Sequence, residues 1–282
     1  MEMQTIGIVG AGQMGSGIAQ VCAVAGLNVV LNDINDEAVQ RGFDRIAASL
    51  DRLVSKEKLS AAHASAAVSR IARCVAPEGL AACDFVIEGA TESVRIKQEI
   101  LKQLDTVLRP DAIIATNTSS VSITKLAATL ANPARFIGMH FFNPVPVMEL
   151  VEVIRGIQTS DATFEVTVAL ARRIGKTAID IRNSPGFAVN RILVPMINEA
   201  VFVLQERLAS AEEIDAGMKL GANHPIGPLA LADLIGLDTV LAIMDVLYRD
   251  FNDSKYRPAP LLKEMVDAGY LGRKSGRGFH TY

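Results

Sequence analysis

One short segment near the start of the chain limits the fold more than any other. The β-branched run Thr5–Val9 leads into Gly10-Ala11-Gly12-Gln13-Met14-Gly15, after which small and apolar residues recur at helical spacing. A strand, a glycine turn and a helix in this order are the context in which a GxGxxG motif binds a dinucleotide. The first glycine permits the tight turn, the second lets the backbone approach a pyrophosphate, and the third allows close helix–strand packing. The segment predicts a dinucleotide-binding βαβ unit.

An acidic residue after the second predicted strand indicates which dinucleotide is bound. The run Val29-Val30-Leu31 ends at Asn32-Asp33. Asp33 lies about twenty residues beyond the glycine turn, where an acid bonds the adenosine ribose hydroxyls of NAD. It would repel the additional phosphate of NADP, and no arginine follows before Arg41. We therefore expect NAD rather than NADP; the alternative is that Asp33 only caps a turn with Asn35.

Strand and helix patterns alternate through the first two thirds of the chain. Further strands are predicted over 84–90, 111–116, 136–142, 150–154 and 177–181, with a helix or hairpin over 55–75 and a helix over 161–174. Such alternation predicts an α/β fold with a doubly wound, mostly parallel sheet. The loop after residue 142 is too short for a helical crossover, so the strands on either side of it should be antiparallel. We expect a Rossmann-like domain over residues 1–183.

The remaining residues, 184–282, carry only helical patterns. Ser184-Pro185-Gly186 is a break at which the proline should start a new helix. The segment from Phe187 to Leu204 is apolar on nearly every side, so other helices or a second subunit must bury it, and Pro195 should bend it. Further helices are predicted over 212–220, 228–248 and 261–268. We expect an all-helical C-terminal domain that forms a homodimer.

The composition argues against several classes of protein. Of the 282 residues, 50% are hydrophobic and 21% are charged, as in ordinary soluble globular proteins. A formal net charge of −3 gives no basic field for nucleic acid or an anionic membrane. No apolar run approaches the ~18 residues that cross a bilayer, and no charged leader precedes the first strand. Cys22, Cys74 and Cys83 lack metal-ligand spacing and are expected to be buried thiols. We expect a cytoplasmic protein without a metal.

An imidazole and an acid are predicted to meet on neighbouring strands. His140 and Glu152 lie in two apolar runs that flank a loop containing Pro144 and Pro146. If the runs pair across that loop, the two side chains can touch. A carboxylate at one ring nitrogen fixes the tautomer of a histidine and leaves the other nitrogen to act as a base. The pattern predicts a site that takes a proton from an alcohol.

Further polar candidates follow two of the predicted strands. Glu92 and Lys97 come after the strand 84–90, at the edge where doubly wound sheets bind ligands, although both could equally be surface charges. Asn117-Thr118-Ser119-Ser120 follow the next strand, where they either cap a helix or bond a substrate, and four polar side chains exceed what a cap needs. One side of the helix after Asp33 is polar and basic, which by itself favours a solvated face. The residues on this side are Arg41, Arg45, Ser49, Arg52 and Lys56.

These motifs together make the chain similar to a known family. It resembles the short-chain L-3-hydroxyacyl-CoA dehydrogenases, and within them the bacterial 3-hydroxybutyryl-CoA members, over essentially its whole length. Besides the glycine motif, the resemblance is carried by Asn117-Thr118-Ser119-Ser120, His140-Phe141-Phe142-Asn143-Pro144-Val145-Pro146, Ser184-Pro185-Gly186-Phe187-Ala188-Val189-Asn190-Arg191 and Gly276-Arg277-Gly278-Phe279. Many dehydrogenases share the glycine motif, whereas the second and third of these four blocks together are highly specific.

The resemblance implies a reversible, NAD-linked oxidation of a 3-hydroxyacyl-CoA to a 3-ketoacyl-CoA. It assigns the catalytic pair to His140 and Glu152, a substrate-binding serine to Ser119, and an active-site asparagine to Asn190, which closing of the domains would bring in. The NAD contacts that it implies, besides the glycine turn and Ser119, are Asp33, Glu92, Lys97, Asn143 and Lys274. The CoA contacts that it implies are Ser49 and Lys56.

Two other functions stay open at this point. A dehydrogenase of free 3-hydroxy acids would need a fixed cation for the substrate carboxylate, and none stands out near Ser119 or Asn190. A dinucleotide-binding protein that has lost catalysis is opposed by the presence of Ser119, His140, Glu152 and Asn190.

Overall fold

The computed structural model describes residues 3–282, which divide into two compact units. The N-terminal unit ends at Asn183 and the C-terminal unit begins at Ser184.

The N-terminal unit is built on one eight-stranded sheet in the order β3-β2-β1-β4-β5-β6-β7-β8. The strands are β1 (Thr5–Val9), β2 (Asn28–Asn32), β3 (Ile71–Cys74), β4 (Phe85–Glu88), β5 (Ile113–Thr116), β6 (Phe136–Phe141), β7 (Leu150–Arg155) and β8 (Thr177–Arg182). Every neighbouring pair is parallel except β6 and β7, which are antiparallel. The predicted Rossmann-like, mostly parallel sheet is therefore confirmed, and so is its antiparallel pair.

Helices of the N-terminal unit connect these strands. They are α1 (Gln13–Val24), α2 (Asp36–Ser55), α3 (Ala61–Ser69), α4 (Val94–Val107), α5 (Ile123–Ala127) and α6 (Asp161–Arg173). Several begin where a side-chain oxygen accepts a bond from a backbone N–H of the first turn: Asn35 caps α2, Ser60 caps α3 and Ser160 caps α6. The core lies between sheet and helices, with Ile8, Leu31 and Phe85 fully buried.

The regular elements of the C-terminal unit are helices. They are α7 (Val189–Gln205), α8 (Ala211–Gly221), α9 (Pro228–Ile235), α10 (Leu237–Phe251) and α11 (Pro260–Asp267). Their apolar sides form a core of their own that includes Val201, Leu229 and Met244.

Two helix boundaries in this unit differ from the sequence-based expectation. Helix α7 begins at Val189 rather than at Pro185, because Gly186 and Phe187 have left-handed backbone angles, φ +69° and +51°, which a right-handed helix cannot include. The helix expected over 228–248 is two helices that break at Gly236, φ +101°. A Cβ at Gly236 would lie 2.9 Å from Asp238 Oδ1 and 3.0 Å from Lys274 Nζ, so an ion pair packs over this glycine.

The N-terminal sheet also has one strand more than expected. Residues 55–75, predicted as a helix or hairpin, contain α3 and then β3, which pairs in parallel with β2 at the edge of the sheet.

The three cysteines are protected thiols. Cys22 and Cys83 are buried, Cys74 is half-buried, and none of the three is in a disulfide. Burial raises the pKa of Cys22 and of Cys83 to about 12, and burial also raises the pKa of the Cys74 thiol. Because only the thiolate is a good nucleophile, all three should react slowly at neutral pH.

Residues 3–282 contain neither a candidate membrane span nor a candidate metal cluster. No helix there has both the length and the apolar character needed to cross a bilayer. No three His, Cys, Asp or Glu side chains of that region gather as metal ligands.

Candidate active site

The glycine turn between β1 and α1 is closed on two sides and open on the third. A Cβ at Gly10 would lie 2.5 Å from Ala90 Cα, and a Cβ at Gly15 would lie 1.7 Å from the Gly10 carbonyl oxygen. A Cβ at Gly12, which precedes the first turn of α1, would meet nothing within 4 Å. The space beside Gly12 therefore adjoins the exposed N–H groups of a helix N-terminus, which is what a pyrophosphate requires.

Asp33 lies on the other side of this turn. Its Oδ2 accepts a hydrogen bond from Ala11 N at 2.6 Å, and its Oδ1 accepts one from Ile34 N at 2.7 Å. The carboxylate is thus fixed by backbone donors at the end of β2, where it can still accept bonds from sugar hydroxyls.

An apolar cavity of about 530 Å³ opens beside Asp33. Its lining includes Ile34, Val75, Pro77, Leu80, Ile96 and Ile100. An apolar cavity next to a fixed acid is the kind of site that binds a purine ring with its ribose. Sequence reasoning missed these residues because they come from separate segments that meet only in the folded chain.

The predicted acid–base pair forms on β6 and β7. His140 is directly opposite Glu152 in the antiparallel register. His140 Nδ1 lies 2.7 Å from Glu152 Oε2, and the two residues are 7% and 0% exposed. A carboxylate at Nδ1 stabilises the tautomer with its proton on that nitrogen, so Nε2 is the nitrogen that can accept a proton. The Phe142 ring stands beside the imidazole, with 4.5 Å between the centroids.

Ser119 and Glu92 are brought together at the carboxyl end of the sheet. The Glu92 carboxylate accepts hydrogen bonds from Ser119 N at 2.9 Å, Ser119 Oγ at 3.2 Å and Thr118 Oγ1 at 2.6 Å. Thr118 Oγ1 also accepts a bond from Val121 N at 3.0 Å. The helix that follows, α5, is capped by Ser122, so the helix cap considered for residues 117–120 is wrong. Thr118 stabilises a turn instead, and a bond from Ser119 to the substrate stays a prediction.

Lys97 is buried, which excludes one of the two alternatives left open by the sequence, that of a surface charge. Its side chain is fully buried, and Nζ donates to Glu88 Oε2 at 2.7 Å, Thr116 Oγ1 at 3.0 Å and the Asn117 carbonyl at 3.1 Å. An ammonium has three protons, and here each has a protein acceptor. In this conformation Lys97 cross-links the ends of β4 and β5 and offers no donor to a dinucleotide. Asn117 Oδ1 then accepts from Phe141 N at 3.0 Å, which extends the network to the residue after His140.

Asn143 lies next to the glycine motif. Its Oδ1 accepts a hydrogen bond from Gln13 Nε2 at 2.9 Å, although 130 residues separate the two in the sequence. The structure thus places two of the residues expected to contact NAD against each other.

The polar side of α2 is more than a solvated face. Arg45 donates to the Ala11 carbonyl at 3.1 Å and to Ser16 Oγ at 3.4 Å, so it ties α2 to the glycine turn. A Cβ at Gly42 would lie 2.5 Å from Ala11 Cβ, which shows how closely α2 packs there. Ser49 is half-buried, and Lys56, just after the end of α2, is exposed.

Asn190 and Lys274 belong to the C-terminal unit. Asn190 is buried in the first turn of α7. Lys274 Nζ donates to Asp238 Oδ1 at 2.5 Å and to Oδ2 at 2.6 Å. Their contribution to substrate and NAD binding stays a prediction.

Comparison with protein families decides which family this chain belongs to. The family model described as "3-hydroxyacyl-CoA dehydrogenase, NAD binding domain" matches residues 5–184, and "3-hydroxyacyl-CoA dehydrogenase, C-terminal domain" matches residues 186–282. The chain belongs to the 3-hydroxyacyl-CoA dehydrogenase family. The cofactor of this 3-hydroxyacyl-CoA dehydrogenase family member is therefore NAD, and the open cradle at Gly12 with the fixed Asp33 carboxylate fits that cofactor.

Individual relatives match this family member along its whole length. It is 52% identical over 280 residues to the 3-hydroxybutyryl-CoA dehydrogenase of Bradyrhizobium diazoefficiens, covering 99% of this chain and 96% of that one. It is 49% identical over 277 residues to the 3-hydroxybutyryl-CoA dehydrogenase of Clostridioides difficile, covering 98% and 99%. Its fold matches the crystal structure of (S)-3-hydroxybutyryl-CoA dehydrogenase from Ralstonia eutropha with a TM-score of 0.98 and 63% identity, covering 100% and 99%.

Proposed function

We propose that this protein catalyses the reversible, NAD-dependent oxidation of (S)-3-hydroxyacyl-CoA to 3-ketoacyl-CoA, with 3-hydroxybutyryl-CoA and acetoacetyl-CoA as the preferred pair. The observation that carries the proposal is the buried His140–Glu152 pair on adjacent strands of an NAD-binding domain. The choice of a four-carbon acyl group is supported by the names of relatives that are about half identical along the whole chain.

The protein's own residues supply the proton chemistry. With the Nδ1 proton held by Glu152, His140 takes the hydroxyl proton of the substrate at Nε2 and becomes an imidazolium. The Glu152 carboxylate stabilises that positive charge in a site from which water is largely excluded. In the reductive direction the imidazolium returns the proton to the ketone oxygen. The hydride chemistry, at the substrate carbon that carries this oxygen, would be supplied by NAD in the glycine-turn site.

Ser119 and Asn190 are proposed to bind the substrate oxygen. Donors aimed at an oxygen that gains negative charge in the transition state contribute about 3 to 4 kcal/mol each in well-studied enzymes. The Ser119 hydroxyl donates to Glu92 in this structure, so it must rotate about its Cβ–Oγ bond to donate to a substrate. The role of Asn190 rests on its place in the family motif.

Substrate comparison tests the proposed acyl-CoA specificity. We expect kcat/KM for acetoacetyl-CoA to exceed that for free acetoacetate by roughly a thousandfold, because the CoA moiety contributes ~4 kcal/mol of binding energy. Lys56→Ala should raise KM for acetoacetyl-CoA about fivefold, as expected for an exposed ion pair worth ~1 kcal/mol. Initial rates of NADH oxidation measure both effects. Lys58→Ala, at a second exposed lysine nearby, is the matched control.

Each contrary outcome identifies a different protein. Similar rates with free acetoacetate would favour the dehydrogenase of free 3-hydroxy acids. No NADH oxidation with any 3-ketoacyl-CoA would favour a dinucleotide-binding protein without catalysis. An unchanged KM in Lys56→Ala would return Lys56 to the solvated face of α2.

We also propose that the protein forms a homodimer through its C-terminal helices. Ile192 on α7 is 73% exposed beside an apolar groove of about 440 Å³. The groove is lined mainly by Val189, Leu193, Met196, Pro225, Ile226 and Leu231. Apolar surface of this kind is usually covered by a partner. We further propose that the protein is cytoplasmic, because that compartment suits a protein with free thiols and no disulfide among its three cysteines.

Sedimentation tests the dimer. Wild type is expected to sediment with the mass of two chains at micromolar concentration, whereas Ile192→Glu should sediment as a monomer because a carboxylate there would be buried without a partner. Exposed Leu208, replaced by Glu, serves as the control outside the groove. A monomeric wild type would refute the proposal.

A further inference from the structure

One buried cation anchors the loop that joins β6 to β7. Lys176 lies in the turn between α6 and β8 and is only 7% exposed. Its Nζ donates to the Val145 carbonyl at 2.6 Å and to the Met148 carbonyl at 2.8 Å. The next residue, Thr177, donates its backbone N–H to the Glu149 carbonyl at 2.7 Å. Two consecutive residues therefore hold three carbonyls of the loop 142–149.

The anchored part of this loop rests on the dinucleotide-binding helix. Val145 is buried, and a Cβ added to Gly17 of α1 would lie 2.8 Å from Val145 Cβ. The loop therefore contacts the backbone of α1 with no space for a side chain between them. The Lys176 ammonium donates a hydrogen bond to the carbonyl of Val145 and so fixes how the loop packs on α1.

Asn143 adjoins that contact. Asn143 is two residues before Val145, and its amide oxygen accepts the bond from Gln13 in the glycine motif. The carbonyls of Pro144, Val145, Met148 and Glu149 are all bonded, to backbone N–H groups or to Lys176. A loop held at these points keeps the Asn143 amide at the glycine motif.

The chemistry of Lys176 suits a residue that fixes the geometry of the loop better than one that only adds stability. Burial lowers the pKa of its ammonium, an effect that the nearby Glu149 carboxylate opposes. A charge that is costly to desolvate stabilises little, whereas its bonds to two carbonyls define one loop geometry. No motif in the sequence singles out this residue, because its partners lie about thirty positions earlier in the chain.

We propose that Lys176 is a positioning residue for the cofactor: by holding the loop 142–149 against α1, it places the Asn143 amide for NAD binding. The inference concerns the dinucleotide and is independent of which substrate the protein oxidises.

The test is a titration of the full chain with NADH in the absence of substrate. The fluorescence of NADH reports binding and gives its Kd. Lys176→Met keeps the length of the side chain and removes the ammonium, and we expect it to raise Kd for NADH about tenfold. Lys102→Met, at an exposed lysine of α4, is the control and should leave Kd unchanged. A lysine with only a structural role would lower the thermal midpoint without changing Kd. An unchanged Kd in folded Lys176→Met would therefore overturn the proposal.

A double-mutant cycle asks whether Lys176 acts through Asn143. Asn143→Ala alone is expected to raise Kd for NADH severalfold, and to add little once Lys176 has been replaced. Additive effects would show that Lys176 does not place Asn143 and would overturn the proposal. If Lys176→Met does not fold, the same cycle is run with Lys176→Arg, which keeps the charge but replaces the compact ammonium with a larger, planar guanidinium whose N–H directions are fixed. The same two outcomes then decide. Because the readout is NADH binding, a failure of the proposed acyl-CoA activity would not affect it.

Discussion

His140→Ala is expected to lower kcat for reduction of acetoacetyl-CoA by roughly a thousandfold, within the range that general acid–base catalysis contributes. The variant removes the group that exchanges a proton with the substrate oxygen, while the glycine turn and Asp33 stay in place. Affinity for NADH should therefore remain within about twofold of wild type. Initial rates at saturating substrate, with a fluorescence titration of NADH, measure the two quantities separately.

Two further variants make this result specific. Glu152→Gln preserves the shape of the buried side chain but cannot stabilise an imidazolium, so we expect kcat to fall by roughly a hundredfold in a folded protein. His63→Ala removes an exposed histidine of α3, whose ring bonds Ser60, and should leave kcat unchanged. Substantial residual turnover in His140→Ala would remove His140 as the base, and a wild-type rate in Glu152→Gln would discard the paired mechanism.

Lys97→Met is expected to destabilise the N-terminal domain far more than the removal of an exposed ion pair. The substitution leaves the Glu88 carboxylate fully buried beside no cation, which typically costs about 3 to 5 kcal/mol in the free energy of unfolding. Replacing both partners, in Glu88→Gln/Lys97→Met, should recover most of that loss because no buried charge remains. Urea unfolding followed by circular dichroism gives the three free energies. The exposed pair Arg95–Glu99 provides the control, since Arg95→Met should cost about 0 to 1 kcal/mol.

The unfolding measurements, together with an NADH titration of the same variants, decide between two roles of Lys97. The resemblance implies a contact with NAD, whereas the structure gives all three Nζ protons to Glu88, Thr116 and Asn117. If Lys97→Met kept its stability and lost only affinity for NADH, Lys97 would be a ligand of the dinucleotide. A large loss of stability that the double variant recovers would establish the ion pair instead.

The arrangement around His140 could be foreseen because it depends on local features. A loop too short for a helical crossover makes β6 and β7 antiparallel, and apolar runs on both sides indicate strands. Antiparallel neighbours then bring one residue of each strand face to face, and His140 is opposite Glu152. The glycine motif can also be recognised from the sequence, since its spacing reflects contacts within one βαβ unit.

Other features could not be foreseen because they depend on distant residues or on a single backbone angle. Glu88, Lys97 and Thr116 have no local pattern that marks them as a buried network, and they meet only when β4, α4 and β5 pack. Strand β3 is a four-residue edge strand in which only Ile71 is buried, too weak an apolar signal to distinguish it from a loop. The break between α9 and α10 follows from the left-handed angle of Gly236, within a pattern that otherwise reads as one helix.

The protected state of the three thiols has a practical consequence. With the pKa of Cys22 and of Cys83 at about 12 and that of Cys74 also raised, the wild-type chain offers little thiolate to a maleimide at neutral pH. A cysteine introduced on the surface of each unit could then carry a fluorescent label without first removing the natural ones. Energy transfer between two such dyes would report directly whether the two units approach each other when NADH and acyl-CoA are added.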